Sequence, residues 1–323
     1  MKKWRLAAGV VGGLAILVAG SFLILNPETK RLTPQTRASL PGNYIALSDG
    51  VTHYNLDGPA DGPLVVLVDG FSIPSFTWER NVPALTAAGF RVLTYDLYGR
   101  GYSDRPNVVY ALPLFVRQLD ELLTALKVDK PVDIVGLSLG GYITAGFANQ
   151  HPDRVKRVVL MAPQPNATGA EPLIRLVTLP WIGEYLFTIY IGPHEIVDGK
   201  NEYDAYVPNS DWHDREMDAL SYVGTRNALL STLRYMTGDP LIEYRGLAKL
   251  GCPVELLWGD QDHTVSIDYA TQVKEAIPMA EYHVIQGAGH ESEYEKPDVV
   301  NPLIVDFFIR PLSPAIVPIS AGE

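Results

Sequence analysis

Gly136-Leu137-Ser138-Leu139-Gly140 falls where an apolar run of strand character, Val132 to Leu137, gives way to a helical stretch, Leu139 to Asn149. A G-x-S-x-G sequence in that setting implies a tight strand-to-helix turn. The serine is held in a strained backbone conformation, and the glycines lack side chains so that strand and helix can approach. The plainer reading is a turn whose serine caps the helix. Runs such as Leu64-Val65-Val66-Leu67-Val68 lack polar alternation, as strands buried on both faces do. Strands are expected at Tyr44 to Leu47, Leu64 to Asp69, Arg91 to Tyr95, Val132 to Leu137, Arg157 to Met161, Val254 to Trp258 and Glu281 to Ile285. Helical periodicity marks Trp78 to Ala88, Pro113 to Leu126, Leu139 to Asn149, Ile267 to Ala276 and Asp298 to Phe308. The alternation predicts an α/β fold, a mostly parallel central sheet flanked by helices.

That alternation stops near Pro163 and resumes near Gly251. The core is therefore expected over 43–163 and 251–310. Residues 164–250, helical and rich in Trp and Tyr, read as a cap inserted into it. The proline-bearing stretch 311–323 reads as a loose tail. At the other end, Leu6 to Leu25 carries no charge and follows Lys2, Lys3 and Arg5. A helix of about twenty residues can cross a bilayer core, so 1–27 reads as a membrane anchor. The positive-inside rule then places the rest outside the cytoplasm. A cleaved signal peptide, giving a secreted or periplasmic protein, is the alternative. Membrane lipid would be a partner through this segment.

A serine hydroxyl needs a base within hydrogen-bond reach and a third group to orient that base. In this architecture both follow the serine, on loops at the carboxyl ends of later strands. His290, in Gln286-Gly287-Ala288-Gly289-His290, follows the last strand and is the expected base. Six of the seven histidines are set aside: His53 and His151 as surface or packing residues, His283 as lying within a strand, His263 as lacking a glycine turn, and His194 and His213 as cap residues open to substrate contact. In Trp258-Gly259-Asp260-Gln261-Asp262, Asp262 is preferred as the acid, with Asp260 expected to brace the loop. A net charge of −11 sets nucleic-acid binding aside. The single cysteine, Cys252, excludes an internal disulfide and any Cys-based metal site. No metal or cofactor is expected, and Gly99-Arg100-Gly101 lacks the third glycine of a dinucleotide fingerprint.

With Asp69-Gly70-Phe71-Ser72-Ile73-Pro74-Ser75, Asp96-Leu97-Tyr98-Gly99-Arg100-Gly101-Tyr102-Ser103 and Gly287-Ala288-Gly289-His290, the sequence resembles the α/β-hydrolase fold superfamily over roughly residues 43 to 310. The resemblance is to the cap-bearing branch that holds monoacylglycerol lipases, carboxylesterases and carbon–carbon bond hydrolases. It implies Ser138 as nucleophile, His290 as base, Asp262 as orienting acid, and the backbone N–H groups of Phe71 and Leu139 as an oxyanion hole. Where the family usually has His-Gly, this chain has Asp69-Gly70, and Asp69 is expected to turn away and accept hydrogen bonds from the neighbouring loop. The expected activity is a serine esterase or lipase acting on a small apolar ester through an acyl-enzyme. The alternatives are a carbon–carbon bond hydrolase on a vinylogous diketone, with Arg175, Arg215, Arg226 and Arg234 as candidates for a second carboxylate, and a non-catalytic ligand-binding homologue.

Overall fold

The computed structural model describes residues 12–13, 17–18, 20–22, 24–166, 176–191, 207 and 210–312. Its centre is an eight-stranded sheet, ordered β1-β2-β4-β3-β5-β6-β7-β8. The strands are β1 (Asn43–Ala46), β2 (Val51–Asp57), β3 (Leu64–Val68), β4 (Arg91–Tyr95), β5 (Val132–Leu137), β6 (Val155–Met161), β7 (Val254–Gly259) and β8 (Glu281–Ile285). The β1–β2 and β2–β4 pairings are antiparallel, and all others are parallel. Every residue of β5 and of β7 is buried, which the runs without polar alternation require.

The sequence reading omits β2 from its clearest strands. Val-Thr-His-Tyr-Asn-Leu-Asp is half polar and only partly buried, and its strand state depends on β1 and β4 on either side. The helix expected from Trp78 to Ala88 is two elements, a 3-10 turn at Ser75–Arg80 and an α-helix at Val82–Ala87. Pro83 accounts for the break, because its ring clashes with the preceding turn and it fits only the first positions of a helix. One side of the sheet packs on Leu112–Ala125 and Leu139–Gln150, the other on Trp78, Val82–Ala87 and the C-terminal helix Pro297–Ile309.

Between β6 and β7 the described residues form helical elements: Ile182–Leu186, Phe187–Ile191, Trp212–Leu220, Thr225–Tyr235 and Pro240–Lys249. They carry a small core of their own, Val177, Phe187, Leu229, Leu230 and Leu233, against which Phe71 also packs. The N-terminal helix expected over Leu6 to Leu25 is not supported. Residues 1–11, 14–16, 19 and 23 lie outside the described residues, and among those described no helix is long and apolar enough to cross a membrane. Of the expected tail, 313–323 also lies outside them.

Candidate active site

Ser138 links β5 to the helix Leu139–Gln150 at φ 54° and ψ −117°. Its N–H donates to Met161 O at 2.8 Å, and its carbonyl accepts from Gly141 N at 3.0 Å and Gln164 N at 3.3 Å. These bonds hold a left-handed conformation that costs a non-glycine residue of order 1–3 kcal/mol. Both flanking glycines are needed sterically. A Cβ on Gly136 would lie 2.5 Å from Gly140 O, and one on Gly140 would lie 2.4 Å from Val68 O. Leu139 is the first residue of the helix, so its N–H has no carbonyl one turn behind it and is available to a ligand.

His290 and Asp262 come together from the loops after β8 and β7, with His290 Nδ1 2.8 Å from Asp262 Oδ2. A carboxylate only accepts, so Nδ1 carries the proton and Nε2 is free to take one. The other Asp262 oxygen accepts from Thr264 N at 2.9 Å and Val265 N at 2.7 Å. Burial of the ring works against its charged form, yet the Asp262 carboxylate, with Glu291 and Glu293 behind it, raises the His290 pKa above its usual value. The charged form of the ring is thereby favoured. Asp260 braces the same loops by accepting from Gly287 N at 2.7 Å. Gly259 lets them meet, since a Cβ there would lie 2.2 Å from Gly289 O.

The loop after β3 approaches the elbow at Gly70, where an added Cβ would lie 3.6 Å from Ser138 Cβ. The side chain of Asp69 is fully buried and turned toward the sheet face that holds Trp78, whose indole N–H donates to Asp69 Oδ1 at 3.1 Å. Burial, with the charge of Asp96 nearby, raises its pKa well above the carboxylate range. Burial thus favours the uncharged form of a carboxyl that is held by Trp78.

Two residues that position this loop have no assigned role in the sequence reading. Arg100 is 1% exposed and donates to Phe71 O at 2.8 Å, Tyr98 O at 3.1 Å and Thr232 Oγ1 at 3.0 Å, tying the loop after β3 to the helix Thr225–Tyr235. Asp96 accepts from Ser75 N and Oγ through one oxygen, and from Tyr102 N through the other, which also lies 2.8 Å from His53 Nδ1. His53 is thus a buried partner of Asp96. Asp96 and Arg100 both lie in the stretch Asp96 to Ser103, but partners of each are distant in sequence.

The cap closes over both sides. Trp212 stacks edge-on against Tyr294, four residues past His290, at 4.3 Å between ring centroids, and against Phe76 of the oxyanion loop at 5.0 Å. Of the cap arginines, Arg215 pairs with Glu79 at 2.6 Å and Arg234 with Glu184 at 2.8 Å, while Arg226 donates to Asn26 Oδ1 at 3.0 Å. Arg175 and His194 lie outside the described residues. His213 lies on the cap helix Trp212–Leu220 and His263 is exposed beside Asp262, while His151 sits 3.5 Å from Asp120.

The chain belongs to the alpha/beta hydrolase fold family, whose sequence profile matches residues 63–297. It is similar to a 2-hydroxy-6-oxononadienedioate/2-hydroxy-6-oxononatrienedioate hydrolase of Cupriavidus pinatubonensis, 28% identical over 82% of this chain and 94% of that protein. Among solved structures it resembles the enol-lactonase of Burkholderia xenovorans, with a TM-score of 0.70 and 23% identity over 83% of this chain and all of that one. It also resembles a carboxylesterase structure from the thaumarchaeon Nitrososphaera gargenis, with a TM-score of 0.66 and 23% identity over 82% and 97% of the two chains. At these identities the solved structures establish the fold alone.

Proposed function

We propose that this hydrolase-family protein cleaves carboxylic esters with an apolar acyl part. The observation that carries the reading is the 2.8 Å His290–Asp262 pair delivered, with the Gly70–Phe71 loop, to the end of the sheet where Ser138 is held at positive φ. In this reading Ser138 Oγ attacks the carbonyl carbon while its proton passes to His290 Nε2. The oxyanion is met by the N–H groups of Phe71 and Leu139. Collapse expels the alcohol, which takes the proton from His290, and water repeats the sequence to release the acid.

A carbon–carbon bond hydrolase with the same triad is the second reading, favoured by the similarity to the dienedioate hydrolase. A dicarboxylate substrate needs a cation for its distal carboxylate. Arg215, Arg226 and Arg234 are already engaged with protein partners, which favours the ester. A carboxylate at Asp69 aimed into the site would favour a non-catalytic homologue, but its carboxyl is held by Trp78. The test is turnover of p-nitrophenyl esters beside a dicarboxylate dienone, with fluorophosphonate labelling. Ser138→Ala should abolish both labelling and ester turnover. Full labelling of that variant refutes the nucleophile, and dienone turnover beside negligible ester turnover transfers the proposal to the second reading.

We further propose that the uncharged N-terminal run holds the enzyme at a membrane, with the catalytic domain outside the cytoplasm. Support comes from the run's basic flank, and from exposed Leu176, Leu179, Trp181 and Ile182 on the cap beside the place where Ser21 meets Tyr185 at 3.0 Å. The full-length protein should resist carbonate extraction from membranes. A soluble mature chain beginning near Ser21 would mean a cleaved signal peptide instead.

A further inference from the structure

The sheet end opposite the catalytic loops holds a cluster that the chemistry above does not use. Glu255 is the second residue of β7 and Glu281 the first of β8, and the two are direct register partners. His283 lies two residues further along β8, so period-2 alternation puts it on the same face. That face runs under the C-terminal helix, since Leu257, two residues after Glu255, belongs to the core that holds Ile304 and Phe308.

Glu255 is fully buried, and neither of its carboxylate oxygens takes part in a hydrogen bond. His283 Nε2 lies 3.4 Å from Glu255 Oε1. Two like charges set directly across a strand pair are destabilising, and a buried carboxylate without partners more so. Arg310 hydrogen-bonds Glu281, through a 2.6 Å bond to one oxygen, and reaches Glu255 only as a more distant charge. A proton shared between Glu255 and His283 would satisfy one Glu255 oxygen and leave the other without a partner.

We propose that Glu255, Glu281 and His283 form a divalent-cation site, taking Zn²⁺ or a close first-row equivalent as a structural clamp. One donor atom from each residue lies within 4.8 Å of the other two. Ligand bonds of about 2.0–2.2 Å in a tetrahedral shell place donors about 3.3–3.6 Å apart, and the 3.4 Å between Glu255 and His283 already meets that spacing. An imidazole with two carboxylates suits zinc. His283 and Glu281 are partly open to solvent, with side chains 36% and 49% exposed, which supplies an entry path and room for water as the fourth ligand. Arg310 acts on Glu281 from behind, orienting it as outer-shell partners do. The clamp would fasten the edge strand β8, and with it the start of the His290 loop, to the interior of the sheet. It reverses the expectation from sequence that no metal site is present.

The test is calorimetric titration of EDTA-treated full-length protein with ZnCl₂, with melting curves and ester turnover measured alongside. One saturable site and a raised Tm are expected. His283→Ala and the exposed Glu281→Gln should each weaken that site by more than the ~10–100-fold typical of outer-shell changes, with metal-free ester turnover unchanged. Glu255→Gln should lose it as well. Absence of saturable binding, or equal binding and Tm gain in His283→Ala and the wild type, would overturn the proposal. In the first case Glu255 and His283 share a proton. In the second the zinc sits on other histidines.

Discussion

Asp69 shows how a single position can reverse its apparent meaning once its surroundings are known. In sequence it is an acid one residue before the glycine of the oxyanion loop. In the fold its carboxyl is buried against Trp78, and burial raises its pKa well above the usual carboxylate range. Because its folded pKa lies above the unfolded value, its contribution to stability is fully present below the unfolded pKa and is lost as pH rises through the folded one, at up to ~1.4 kcal/mol per pH unit in that window. Asp69→Asn keeps the acceptor for Trp78 and removes the titration. The Tm of the variant should therefore rise relative to wild type as pH goes from 5 to 8, with kcat within about threefold. A Tm difference that stays flat with pH, or a tenfold gain in kcat, would mean that the carboxylate is charged and faces the oxyanion.

Among the elements, the oxyanion loop depends on contacts from outside itself. Arg100 reaches Phe71 O, Tyr98 O and Thr232 Oγ1 at once, from the turn after β4 to the helix Thr225–Tyr235. Burial lowers its pKa to about 10, which still leaves it charged at neutral pH. A lysine in its place keeps the charge but not the planar fork that spans the three acceptors. Loss of one oxyanion donor costs ~10²–10³ in kcat, and a displaced loop should cost up to that amount. Arg100→Lys is expected to lower kcat on an ester by about 10–100-fold with KM changed little. A fall in Tm with kcat preserved would reduce Arg100 to a structural brace. The neighbouring Gly99 explains why the cap can sit so close, since a Cβ there would lie 2.3 Å from Ala228 Cβ.

At the scale of the whole molecule, one end of the sheet carries the site and its cap, and the other carries the acid–histidine cluster. The apolar residues of the cap divide between two duties: Val177 and Phe187 fill its own core, while Leu176, Leu179, Trp181 and Ile182 remain exposed. If the exposed set serves acyl chains rather than the membrane contact proposed above, kcat/KM should rise from acetyl to medium-chain esters by up to about fourfold per methylene, the ceiling set by ~0.8 kcal/mol each. A steady fall from acetyl onward would reject that role. The sheet alternation, the strand-to-helix turn at Ser138 and the placing of Asp262 and His290 on loops directly after strands were legible in the sequence, because each is local: apolar runs, glycines at fixed offsets and loops directly after strands. What the sequence could not disclose lies in contacts between distant segments. The antiparallel strand β2 is stabilised by its neighbours rather than by its composition. His53 finds Asp96 across 43 residues, and Arg100 finds Thr232 across 132. Glu255 meets His283 only because β7 and β8 pair in register. Periodicity sets what each segment becomes, whereas the partner of a buried charge is chosen by which segments the completed sheet brings side by side.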